Sequence, residues 1–130
     1  MSKITPSLED YLETILFLQQ KNASVRVTDV AVSMSISKPS VNKAINNLKE
    51  QGYVLHEHYG LLSLTPKGAE AAQNVASRHI VINRFLRDLL GIDPEIAEEE
   101  ACKIEHVIGS ETLEKLAAYL NNILGESHAL

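Results

Sequence analysis

The segment Cys102-Lys103-Ile104-Glu105-His106 sets a thiol, a carboxylate and an imidazole at positions i, i+3 and i+4. At 100° per residue these three project to one side of a helix within about one turn. A thiolate, a carboxylate and a neutral imidazole are good ligands for a transition metal. Glu98, four residues before Cys102, joins the same stripe, with Glu99 and Glu100 beside it. Asp10 and Glu13 are three residues apart and lie between the apolar rows of another helical pattern, where a carboxylate beside a buried face needs a partner. His79 sits among Ile80, Val81 and Ile82. Taken singly, His79 reads as a satisfied core histidine and Asp10 with Glu13 as a solvated pair. The Cys102 cluster is the part that points to metal by its own spacing.

A second group of residues suits nucleic acid. Ser37, Lys38, Pro39, Ser40, Asn42, Lys43 and Asn46 form a polar, basic helix face with no acid until Glu50. Lysines anchor a helix on phosphates, Ser and Asn reach donors and acceptors on base edges, and a proline can meet a thymine methyl. The plain alternative is an ordinary solvated face. Enzyme chemistry finds no footing: there is no His-Glu-x-x-His, no glycine-rich phosphate loop and no nucleophile elbow. Cys102 beside His106 lacks a recognisable orienting group or oxyanion site.

The elements that must position these residues follow from apolar spacing. Leu8, Tyr11, Leu12, Ile15, Leu16 and Leu18 predict a first helix from Ser7 to Gln20, opened either by Pro6 after Thr5 or by Ser7 with Asp10. Val27, Val30, Ala31, Met34 and Ile36 mark a short helix capped by Thr28 and broken at Ser35-Ile36-Ser37. Another follows at once, with Ser37 as cap, Pro39 in its first turn, Val41, Ile45 and Leu48 inward, and Gly52 as its stop. Two short helices across a tight turn make a helix-turn-helix, whose second helix reads the major groove. Tyr53–Glu57 and Leu61–Leu64 are strand candidates joined by His58-Tyr59-Gly60, which adds a wing, with His58 and Tyr59 expected near the DNA backbone.

Thr65-Pro66-Lys67-Gly68 then opens a long linking helix over about 66–90. Two helices complete the chain, from Asp93-Pro94 to Val107 and from Ser110 to Leu124. Their stripes, from Ile96 through Ile104, Val107 and Ile108 to Leu120, Ile123 and Leu124, exceed what one helical pair can bury, so a dimer contact is expected. The fold class is mainly α: a winged helix-turn-helix over residues 1–70 with a small β-hairpin, then an all-helical metal-binding and dimerisation domain over 71–130.

Composition sets the outer bounds. With 130 residues and 45% apolar content the chain can bury a real core, and 22% charged residues without a long charge block exclude global disorder. The net charge of −5 counts against DNA only until it is divided. Residues 1–68 carry 7 Lys/Arg and 6 Asp/Glu, whereas residues 69–130 carry 5 and 11. The acid lies in the second half, where clustered like charge is relieved by bound cations. A single cysteine, no membrane-length apolar run and no secretory signal at Met1–Pro6 place the protein in the cytoplasm, with no membrane partner.

Nearly the whole chain resembles the diphtheria toxin repressor and manganese transport regulator family of metal-dependent transcriptional repressors. The resemblance rests on Thr5-Pro6-Ser7-Leu8-Glu9-Asp10-Tyr11-Leu12-Glu13-Thr14-Ile15, Ser37-Lys38-Pro39-Ser40-Val41, Leu64-Thr65-Pro66-Lys67-Gly68, Arg78-His79 and Glu100-Ala101-Cys102-Lys103-Ile104-Glu105-His106. It implies a homodimer that grips a palindromic double-stranded operator when loaded with Mn²⁺ or Fe²⁺, controlling metal homeostasis genes. With the chain ending at Leu130, it looks like the two-domain branch, without an SH3-like third domain.

Carried over by position, Asp10, Glu13, His79, Cys102, Glu105 and His106 are the implied ligands, with Glu98 as a further candidate. The set is a hybrid: Asp10 and Glu13 match the manganese branch, and Cys102 the iron branch. Oxygen-rich sets suit Mn²⁺, and a thiolate moves preference toward Fe²⁺, Co²⁺ or Zn²⁺, the last two as substitutes. Asn83 replaces an acidic residue of the pattern and Glu98 a histidine, which leaves a second site open. Two other readings stand beside this one: a metal-indifferent winged-helix regulator with Cys102 as a redox switch, and a metal-buffering or interaction module that binds no DNA.

Overall fold

The computed structural model describes residues 6–57 and 60–124. Thr5 and the wing-tip residues His58 and Tyr59 lie outside them. Helix α1 runs Pro6–Lys21, followed by strand β1 at Val25–Arg26, helix α2 at Val27–Met34 and helix α3 at Lys38–Glu50. Strands β2, Val54–His56, and β3, Leu61–Leu64, precede helix α4 at Pro66–Arg84. A wider helical turn over Phe85–Leu89 closes with Leu90 N–H on the Phe85 carbonyl, five residues back. Helices α5, Pro94–Ile104, and α6, Ser110–Leu124, complete the fold. The chain divides into two compact units at Gln73/Asn74, with α4 continuous through that point.

In the first unit Leu12 and Ile15 of α1, Val30 of α2, and Val41, Ile45 and Leu48 of α3 are fully buried around Val25 and Val54. Full burial of an Ile or Leu side chain contributes about 1.5–3 kcal/mol, so these rows hold the helix-turn-helix against α1 and the sheet. Ser37 caps α3 as expected, accepting the Ser40 N–H at 3.3 Å, with Pro39 in the first turn. The turn ahead of it is made by Ser35 at φ 57°. Gly52, at φ 85°, ends α3 in the left-handed region that glycine enters without strain.

Four local expectations are corrected. Thr28 does not cap α2: Arg26 holds the cap position and its N–H donates to Asp29 Oδ2 at 2.9 Å. The expected hairpin of β2 and β3 forms, but it is not the whole sheet: β1 joins β3 in a three-stranded antiparallel sheet of order β1-β3-β2, in which Val25 faces Leu62 and Arg26 faces Leu61. A two-residue strand has no alternation of its own to reveal it; its partner β3 makes it. The long linking helix is regular only to Arg84. Finally, α5 stops at Ile104, not Val107, because the Ile104 carbonyl takes both the Val107 and the Ile108 N–H, each at 3.0 Å.

The second unit packs around Ile82, Leu86, Ala97 and Ala101, with Phe85, Ile92, Ile104 and Ile108 against them. Both α5 and α6 lie against the turn 85–89. No helix among the described residues is long and apolar enough to cross a membrane.

Candidate metal centre and nucleic-acid face

Two helices of the second unit build the metal candidate. Asp93 caps α5 by accepting the N–H groups of Glu95 and Ile96 at 3.1 and 3.4 Å, with Pro94 at the first helical position. Ala97 and Ala101, one turn apart and fully buried, give α5 a small-residue face that packs on Ile82 and Leu86. Close approach of this kind sets the neighbouring edge of α5, with Glu98, Cys102 and then Glu105, beside His79 of α4.

The imidazole of His79 is held from both sides. Its Nδ1 lies 2.7 Å from Glu105 Oε1, its Nε2 lies 3.0 Å from Glu98 Oε1, and Cys102 Sγ stands 3.8 Å from Nδ1. Ligand atoms of His79, Glu98 and Cys102 all lie within 4.8 Å of one another. Glu105 is fully buried, whereas Glu98 and Cys102 face solvent. The His79 pKa is pushed up to about 9, chiefly by its hydrogen bond to the buried Glu105 carboxylate. Burial opposes that rise, and the Glu98 carboxylate adds to it by hydrogen bond and charge. His79 as an imidazolium therefore donates to both carboxylates and supplies the positive charge they require.

The donor set fits a divalent transition metal. Beyond the imidazole, thiol and carboxylates already in place, Glu105 Oε2 is buried and accepts no hydrogen bond, with His106 Nε2 at 3.5 Å. A buried carboxylate oxygen in that state favours a cation. Asn83, which stands where the family pattern has an acid, donates its amide to Glu98 at 3.1 Å and orients that carboxylate.

The structure thus brings Glu98, Cys102 and Glu105 together around His79 and sets His106 on the far oxygen of Glu105. Cys102, Glu105 and His106, expected to converge on one side, are divided: Cys102 and Glu105 meet His79, and His106 lies on the other oxygen of Glu105. Asp10 and Glu13 belong to the other unit, three residues apart on α1 and half-buried.

In the first unit Ser37, Lys38, Pro39, Ser40, Asn42, Lys43 and Asn46 are all exposed on α3 or its cap, opposite the buried Val41, Ile45 and Leu48. Beside them Arg26, Thr28 and His56 share an open cleft with Lys38 and Asn42. Arg26 and His56 escaped the sequence reading, since only the pairing of both β1 and β2 with β3 brings them to the start of α3. An arginine directly before a helix start was the one available signal.

Residues 3–62 match the domain described as iron dependent repressor, N-terminal DNA binding domain. Residues 65–129 match iron dependent repressor, metal binding and dimerisation domain. An uncharacterised HTH-type transcriptional regulator of Methanocaldococcus jannaschii is 38% identical over 118 residues, covering 90% of this chain and 94% of its own length. The HTH-type transcriptional regulator MntR of Lysinibacillus sphaericus is 34% identical over 113 residues, covering 87% of this chain and 81% of its own. The solved manganese regulator SloR is similar in fold, with a TM-score of 0.79 at 28% identity over 92% of this chain. This chain spans 55% of the SloR chain.

Proposed function

This chain belongs to the iron-dependent repressor family of metal-dependent transcriptional repressors, and on that premise we propose that it is a cytoplasmic, Mn²⁺- or Fe²⁺-responsive repressor of metal homeostasis genes. The observation that carries the reading is His79 clamped between Glu98 and Glu105 with the Cys102 thiol alongside. His79, Glu98, Cys102 and Glu105 hold the metal in this reading, and Asp10, Glu13 and His106 extend the set, as the family resemblance implies.

Metal, when bound, would take over from the His79 imidazolium the neutralisation of the carboxylates and would add that of a thiolate. To act as a ligand His79 would give up its imidazolium proton, and Glu98 and Glu105 would hold the cation with it. The Cys102 sulfur moves preference from Mn²⁺ toward Fe²⁺, with Co²⁺ and Zn²⁺ as substitutes. Two copies of α3 in a homodimer address successive major grooves of a palindromic operator, roughly 34 Å apart. Lys38 and Lys43 hold phosphates there, and Ser40, Asn42 and Asn46 read bases.

The test is anaerobic titration of operator binding with Mn²⁺, Fe²⁺, Co²⁺ and Zn²⁺, using a duplex selected from a random-sequence pool and measuring metal stoichiometry alongside. Metal should raise operator affinity about 5- to 150-fold over the chelated protein. Affinity that stays constant through chelation and metal readdition sinks the reading. A change of operator binding on oxidation, with metal held constant, that Cys102→Ser abolishes and Asp10→Ala leaves intact would instead favour a thiol switch.

A further inference from the structure

The cap and first turn of α4 are bonded to the C-cap of the recognition helix and the two residues after it. Thr65 Oγ1 accepts the Gly68 N–H at 3.0 Å, which caps α4, and donates to the Gly52 carbonyl at 2.7 Å, just past the end of α3. Lys67 Nζ donates to the adjoining carbonyl of Gln51 at 2.9 Å and lies 4.4 Å from the centre of the Tyr53 ring. The Thr65 N–H bonds the Tyr53 carbonyl at 3.0 Å. Gly68 allows the approach, since a Cβ there would stand 1.9 Å from that same Tyr53 oxygen.

These contacts have an electrostatic cause. Carbonyls at a helix C-terminus lack intrahelical donors and carry the negative end of the helix dipole, so a hydroxyl and an ammonium are the groups they attract. The covalent route from α3 to α4 is longer, running out and back through β2 and β3. The side-chain route crosses in one step, and α4 continues from it to His79 without a break.

We propose that Thr65, Lys67 and Gly68 are positioning residues that make α3 and α4 move as one piece. A constraint placed on α4 at His79 then reaches the DNA-reading face of α3. Packed side chains, hydrogen bonds and rigid helices of this kind carry energetic coupling between sites, and three residues at the start of α4 provide them here. The inference rests on the metal-dependent reading above.

The experiment uses the full chain and the duplex recovered by selection with Mn²⁺-loaded protein. Duplex affinity is measured in Mn²⁺ and in chelator for wild type, Thr65→Val, Lys67→Met and Lys67→Arg, together with Mn²⁺ affinity. Amide hydrogen exchange at Gln51, Gly52 and Tyr53 is followed with and without Mn²⁺, in the absence of DNA. The Val and Met variants should lose about five-fold of the metal-induced gain, while duplex affinity in chelator and Mn²⁺ affinity stay within about two-fold of wild type. Lys67→Arg, which keeps charge and donors, should retain the gain. Mn²⁺ should slow exchange at residues 51–53 in wild type and not in the Val and Met variants.

An unchanged gain overturns the proposal. So does a loss of equal size in both metal states, which would make Lys67 a phosphate contact or a stabiliser of the fold. A wild type indifferent to Mn²⁺ overturns the metal-dependent reading, and the proposal with it; coupling that survives in the variants overturns the proposal alone.

Discussion

Glu105 is the residue on which the centre turns. A fully buried carboxylate is stable only with positive charge or donors around it, and its two oxygens face His79 and His106. In the chelated protein this arrangement pushes the His79 pKa up to about 9 from an ordinary 6.5. Because the folded value is the higher one, the pair's contribution to stability is complete below about pH 6.5 and disappears as pH rises through about 9. The stability difference between wild type and His79→Gln, measured by denaturant unfolding in chelator, should therefore shrink across that window. NMR titration of the His79 ring in Glu105→Gln should return its pKa toward the ordinary value. Spacing alone made Cys102, Glu105 and His106 legible as candidate ligands. It could not reveal that His79 would choose Glu105, because that contact joins residues 26 apart.

At the scale of elements, the placement of the candidate metal-binding edge depends on how closely α5 approaches Ile82 and Leu86. Ala97 and Ala101 are fully buried. Ala101→Leu should cost about 1–3 kcal/mol by overpacking and push α5 away from His79. A lowered unfolding midpoint together with weaker metal binding would establish this, whereas lost stability with unaltered metal affinity would separate packing from the site. Helices α1, α3 and α6 were legible nearly to the residue, since each has a long apolar row and α3 carries its own cap and stop. Strand β1 and the end of α5 were not. The first is defined only by β3, and the second by the bifurcated Ile104 carbonyl, while the apolar rhythm runs on to a Val107 that is 80% exposed.

Across the whole molecule, charge and apolar surface are both shared unequally. The DNA-binding half is close to neutral, with Lys38, Lys43 and Lys49 on α3, and the acid is gathered where residues 65–129 match a metal-binding and dimerisation domain. That domain leaves Leu90, Ile96, Tyr119 and Ile123 about half exposed, apolar surface that a dimer contact would cover. Ile123→Glu should convert the dimer to a monomer in sedimentation analysis while the helical circular dichroism is retained; an unchanged mass would place the interface elsewhere. The sequence by itself determined the helical rows, the recognition face and most of the ligand types, because these are periodicities and chemistries local to one element. Tertiary structure decided which ligands meet, where Glu98 and Asn83 belong, and that Thr65 and Lys67 grip the end of α3. Those facts come from pairings between residues far apart in the chain, for which no local pattern exists.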